Sequence, residues 1–430
     1  MTSDPTPTSD PAAYSFVPQP EPPLLIERTD GNYLYPRGGE PILDAGGGAV
    51  VTNIGHGRRE IAETAAKALS SIDYVLPLWA TDARLALRDR LIERWLPAGL
   101  SRVGLMSGGS ESVDSAIRLA RQHHVAAGRT ERWKVIGRQP SYHGATLTTL
   151  AAGGHDGRRA GLDPLLAPFP KVAWNDAQAV EDTILAEGPE TVSAFIGEPV
   201  LGASGGGLVP DDSYWPRVAE ICRRHQVVLI VDEVMTGFGR TGKKFGIDHW
   251  GVVPDILVGG KGLGGGYAPI GGVYASEAIV APIAEADGRV MFFTFTAQDQ
   301  TCAIAERVLS ILEDEDLIGQ AARMGDILRT RLEELSDHPH VSDVRGLGLL
   351  QGIGLVKNKA SGEPFSTDGS FAASVVAECM KRNIWVYPAG GAAPVGDALL
   401  IGPPFTITEQ EIGDIVRVLR ESIDAAVSAS

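Results

Sequence analysis

Lys261 sits in the run Ile256-Leu-Val-Gly-Gly-Lys-Gly-Leu-Gly-Gly-Gly266, and eight glycines fall between positions 259 and 272. Apolar and glycine neighbours desolvate an amine and lower its pKa, and such lysines form Schiff bases with carbonyl compounds. Asp232 follows the apolar run Val227-Val-Leu-Ile-Val231. Its carboxylate leaves a buried strand, where an unpaired charge is costly, so it must face a cation or a donor. The plainer alternative is an N-cap for the next turn. Ser107-Gly-Gly-Ser110 lies between a strand pattern and a helix pattern. Free backbone N–H groups, the helix dipole and a hydroxyl can bind a phosphate there, or the segment is an ordinary turn with Ser110 as N-cap. Tyr142-His-Gly144 offers an aromatic ring beside a close turn, suited to stacking on a flat ligand or to packing at a domain boundary. His143 reads as a structural residue.

Competing chemistries fail on spacing. A P-loop needs Gly-x-x-x-x-Gly-Lys-Ser/Thr, but Asp255 holds the first glycine position and Gly262 follows Lys261. The stretch Gly346-Leu-Gly-Leu-Leu-Gln351 breaks the dinucleotide pattern, no HExxH occurs, and no metal site is expected. A phosphate cup, a stacking ring, a carboxylate for a pyridine nitrogen and a lysine for an aldehyde are together the parts that hold pyridoxal 5′-phosphate.

The elements that must position these groups are short apolar strands alternating with helical periods, which argues for a parallel sheet with crossover helices. Expected strands are Arg102–Met106, Trp133–Gly137, Ser193–Gly197, Val227–Val231 and Ile256–Val258. Each is followed by polar residues, Glu198 after Gly197 among them, where ligands of open α/β sheets bind. Val113, Ala116, Ile117 and Ala120 mark one face of a helix behind the first strand. Past about residue 300 come longer helices, Ala303–Leu312 and Leu317–Leu335, then short strands such as Leu399–Ile401. The division expected is a mobile arm over 1–23, small-domain segments at 24–65 and 311–430, and a large cofactor domain over 66–310.

The chain has 430 residues, with 54 acids against 38 Lys and Arg and a net charge of −16. That balance disfavours nucleic acid and anionic membrane surfaces. Three scattered cysteines, no basic-then-apolar leader and no apolar run of 18 residues lead to the expectation of a cytoplasmic protein.

At these residues the chain resembles the class III pyridoxal-phosphate aminotransferases, the ω-amino acid and amine transaminases included, over roughly residues 24–425. Its most specific stretch is Leu229-Ile-Val-Asp-Glu-Val-Met-Thr-Gly-Phe-Gly-Arg-Thr-Gly242, followed 19 residues later by Lys261. The resemblance implies an α/β transferase of fold type I, with a mostly parallel sheet in the large domain and a small α+β domain. It implies Lys261 as the Schiff-base lysine and Asp232 as partner of the pyridine nitrogen. Gly109 and Ser110 would form the phosphate cup, Tyr142 and Val234 would cover the two ring faces, and Glu198 would join the pyridine-side network. Thr294 would complete the phosphate site of a neighbouring subunit, giving a homodimer with shared active sites. Leu78, Trp79 and Tyr387 are substrate-pocket candidates; Trp79 could equally be an interface aromatic.

The function implied is ping-pong transfer of an amino group from an amine or ω-amino acid to a keto acid or aldehyde through Lys261. Alternatives on the same cofactor are racemase, decarboxylase or aminomutase chemistry, or a non-catalytic cofactor-binding dimer. Relatives that use 2-oxoglutarate commonly carry an arginine where Leu400 stands and a glutamate where Ala203 stands. Weak use of 2-oxoglutarate is therefore expected, with Arg158 or Arg159 as the possible replacement cation. Tyr387-Pro388 replaces a flexible arginine before proline found in amine transaminases, and Val50 replaces a tryptophan. Thr294-Phe-Thr-Ala-Gln-Asp299 also departs from the usual Ser/Gly-rich pattern.

Overall fold

The computed structural model describes residues 23–392 and 394–429; the expected mobile arm lies outside them except for its last residue. A seven-stranded sheet forms the centre. From one edge its order is Leu100–Met106, Gly271–Ser276, Ile256–Gly259, Val228–Asp232, Val192–Gly197, Lys134–Gln139 and Lys171–Ala173. Gly271–Ser276 pairs antiparallel with both neighbours and the remaining pairs are parallel. Six strands therefore end on the same side.

The five strands expected at the site are all present, with boundaries shifted by at most two residues, and the expected Leu399–Ile401 begins three residues earlier, at Gly396. The antiparallel Gly271-Gly-Val-Tyr-Ala-Ser276 was not among them, because two leading glycines and a short apolar stretch read as loop. Successive side chains of the middle strands enter opposite cores. Val228 and Ile230 pack with Ala194, Ile196 and Val258 on one face, whereas Leu229 and Val231 pack with Phe195 and Leu257 on the other. Both faces are covered, which is why these strands read as continuous apolar runs without alternation. The helix Gly109–Ala126 lays Val113, Ala116, Ile117 and Ala120 onto the first of these cores.

Two smaller sheets complete the fold. One joins the two chain ends, since Ile42–Asp44 pairs parallel with Ile384–Trp385. The other is antiparallel, in the order Val341–Leu347, Leu350–Leu355, Gly396–Ile401 and Tyr387–Ala392. Among the described residues no helix is long and apolar enough to cross a membrane.

Candidate active site

At the C-terminal ends of the strands lies a cavity of about 180 Å³ bounded by Gly109, Ser110, Tyr142, His143, Gly144, Glu198, Ala203, Asp232, Val234, Met235 and Lys261. Seven sequence candidates meet there: Gly109, Ser110, Tyr142, Glu198, Asp232, Val234 and Lys261. Leu78, Trp79, Tyr387 and Thr294 are absent from its walls. Leu78 and Trp79 are 73% and 62% exposed, Thr294 is exposed, and Tyr387 packs beside the apolar group that contains Leu400.

Lys261 follows the strand Ile256–Gly259 after one residue, and its backbone is left-handed at φ 38°, a conformation that costs a non-glycine residue about 1–3 kcal/mol. Its Nζ donates to the Ala49 carbonyl at 2.8 Å. Burial lowers the amine to a pKa of about 8; Asp232 and Glu198 oppose that shift, and Arg240 and Arg158 add to it.

Asp232 ends its strand with its carboxylate almost fully buried. One oxygen accepts from the Val234 amide at 3.0 Å and the other lies 2.7 Å from His143 Nδ1. His143, read from the sequence as structural, therefore lines the cavity in contact with Asp232. Its Nε2 is buried and has no protein partner among the described residues. Glu198 is buried nearby, and desolvation raises its pKa to about 7 against the pull of His143 and Arg138. Arg138, itself buried, donates to the Glu198 carbonyl and stands 4.0 Å from its carboxylate.

Gly109, Ser110 and Gly144 bring main chain to the cavity. The helix Gly109–Ala126 opens here with its free N–H groups. A Cβ on Gly109 would come within 2.8 Å of Val234, and one on Gly144, which has φ 136°, within 2.6 Å of Ser110 Oγ. Only glycine keeps this cradle open. Ser110 Oγ accepts from the Ala145 amide at 3.1 Å and so ties the cup to the Tyr142 segment. The Arg158 guanidinium lies 4.3 Å from the Tyr142 ring centroid, and no carboxylate pairs with it among the described residues.

A helix N-terminus with a hydroxyl, an aromatic ring and an apolar side chain in the walls, a buried carboxylate and a desolvated amine fit a flat, phosphorylated pyridine aldehyde. Of the departures from the family pattern, Ala203 lines the cavity, whereas Leu400 and Val50 do not. Leu400 is fully buried with Val50, Val200, Leu350, Ala389 and Ala398, and Val50 is left-handed at φ 57°.

Residues 14–423 match the sequence profile of the family described as Aminotransferase class-III. The chain is 36% identical to the aminotransferase YhxA of Bacillus subtilis, over 93% of this chain and 91% of that one. It is 32% identical to the putrescine–pyruvate aminotransferase of Pseudomonas aeruginosa, over 94% and 91%. It also superposes on the ω-transaminase of Pseudomonas jessenii solved with PMP, with a TM-score of 0.91 and 30% identity across 98% of this chain and 99% of that one.

Proposed function

The chain belongs to the class-III aminotransferases and is a pyridoxal-phosphate-dependent enzyme; from that premise we propose its residue roles, substrate preference and assembly. The observation that carries the proposal is the convergence of Lys261, Asp232 and the Gly109–Ser110 helix start on one cavity. When bound, the cofactor supplies an electron sink for the pair left by a breaking C–H bond.

Lys261 would hold the cofactor through Nζ and, when an incoming amine takes its place, would carry a proton from the substrate carbon to the cofactor side of the bond. A pKa near 8 suits both tasks. Asp232 accepts the pyridine N–H and keeps that nitrogen protonated, while His143 holds the carboxylate in line. Gly109 and Ser110 take the phosphate, Tyr142 and Val234 enclose the ring, and Glu198 completes the pyridine-side network.

Donors are amines or ω-amino acids, and the acceptor is a small keto acid such as pyruvate, or an aldehyde. Leu400 and Ala203 supply no cation and no switch carboxylate for a second acid group. Arg158, beside Tyr142 and without an ion-pair partner among the described residues, is the cation that meets the acceptor's carboxylate. A panel of amines and amino acids against pyruvate, 2-oxoglutarate and an aldehyde tests this. Rapid turnover with 2-oxoglutarate, retained after loss of Arg158, would refute the acceptor assignment.

The enzyme works as a cytoplasmic homodimer in which Thr294 completes the partner's phosphate site. Support comes from Thr294 lying outside its own cavity, from the exposed Leu78, Trp79 and Phe295, and from three free, buried cysteines. The segments 24–65 and 311–430 form one small domain, in keeping with the pairing of Ile42–Asp44 and Ile384–Trp385. Sedimentation of the purified protein gives the mass directly.

A further inference from the structure

Arg84 lies on the helix Asp82–Arg90 and is 8% exposed. Its guanidinium is used entirely on main-chain oxygens. Nε donates to Ala297 at 2.6 Å, Nη1 to Leu76 at 3.0 Å and Trp79 at 2.6 Å, and Nη2 to Val75 at 2.9 Å. No carboxylate pairs with it among the described residues. A planar fork with fixed donor directions sets four carbonyls in one geometry, which a flexible ammonium cannot do.

The two segments joined in this way are far apart in sequence, and neither belongs to a strand or a long helix. Each carries side chains that the chain leaves uncovered: Leu78 at 73% and Trp79 at 62% in one, Phe295 at 60% in the other. Tyr74 meets Phe295 edge-on, with centroids 6.4 Å apart. Thr294 stands beside Phe295. Within its loop one turn forms, Thr296 N to Phe293 O at 3.0 Å and Phe293 N to Thr296 Oγ1 at 3.1 Å, while Phe293 and Ala297 pack against the cores on either side of Thr294 and Phe295.

We propose that Arg84 is a positioning residue for the active site of a second copy of this chain: it locks 293–297 onto 75–79, so that Thr294 and the surrounding apolar side chains are presented to the partner as one rigid surface. This rests on the reading of Thr294 as the partner's phosphate contact. Arg84 then affects cofactor affinity in the other subunit and leaves its own subunit's cup untouched.

Mixed dimers separate the two directions. Pairing a K261A chain with a chain that keeps Lys261 leaves one working site, whose visible absorbance reports bound pyridoxal phosphate. With R84Q on the chain that keeps Lys261, affinity should stay within about twofold of the control dimer, because the contact comes from the intact chain. With R84Q on the K261A chain, the dissociation constant should rise about 10-fold or more, the usual scale for losing charge-assisted hydrogen bonds. R84K keeps the charge without the fork and should weaken binding less in the same placement; it also carries the comparison if R84Q does not fold. T294A in the two placements tests the premise. If T294A acts in neither placement, or the protein sediments as a monomer, the Thr294 reading fails and the proposal with it. If T294A acts across the interface but R84Q and R84K act equally in both placements or in neither, the proposal for Arg84 alone is overturned.

Discussion

His143 Nδ1 lies 2.7 Å from Asp232 Oδ2, and both side chains are almost completely withdrawn from solvent. A buried carboxylate needs donors, and His143 and the Val234 amide supply two while leaving an oxygen lone pair free for the pyridine nitrogen proposed as its partner. His143→Ala should lower kcat by about 10–100-fold, the range for losing a partner that orients a catalytic group, with little change in KM for the keto acid. His143→Asn, which keeps a donor near Nδ1, should recover part of the loss in steady-state kinetics.

Lys261→Ala should reduce turnover by at least about 10³-fold, because the acid–base and covalent roles proposed for it would be lost together, while circular dichroism stays native. In the native apoprotein, a lysine of pKa about 8 is neutral well below the ordinary 10.5. The rate of pyridoxal-phosphate uptake should rise through about pH 8 and level off above it. Between about 8 and 10.5 the unfolded chain binds the proton that the folded chain has lost. Apoprotein stability should therefore increase with pH across that window, and Lys261→Met should remove this contribution in thermal denaturation.

Arg158→Gln should raise KM for pyruvate by about 10–100-fold, in line with hydrogen bonds to a charged group, and leave KM for a simple amine donor unchanged. Initial rates with each substrate varied in turn measure both.

Leu400→Arg should not create 2-oxoglutarate activity. The position is sealed among Val50, Val200, Leu350 and Ala398, and a guanidinium without a partner there should cost about 3–5 kcal/mol. Urea denaturation and an acceptor assay check the two halves.

Much of this site was legible because each group announces itself locally. Lys261 stands out against its glycines, Asp232 against the apolar run before it, and Ser110 at a strand-to-helix junction. His143 was not legible, because its partner is 89 residues away and a single histidine carries no periodic signal. Gly271–Ser276 was missed for a related reason: its strand character comes from two neighbours in the sheet and not from its own β-propensity. Arg84 was equally silent. Its four acceptors are main-chain oxygens, and main-chain oxygens leave no trace in side-chain identity.

The position of Gly271–Ser276 also sets an order of events during synthesis. Among the described residues the strand Leu100–Met106, which leads into the Gly109–Ser110 helix start, has that antiparallel strand as its only neighbour in the sheet. A growing chain therefore cannot seat the cup's strand until residue 276 has emerged from the ribosome, and Lys261 emerges before it. Closing so long a loop is slow relative to local helix formation. Nascent fragments that contain the complete cup sequence but stop short of residue 271 would lack the sheet edge that holds it, so cofactor capture waits on nearly two thirds of translation.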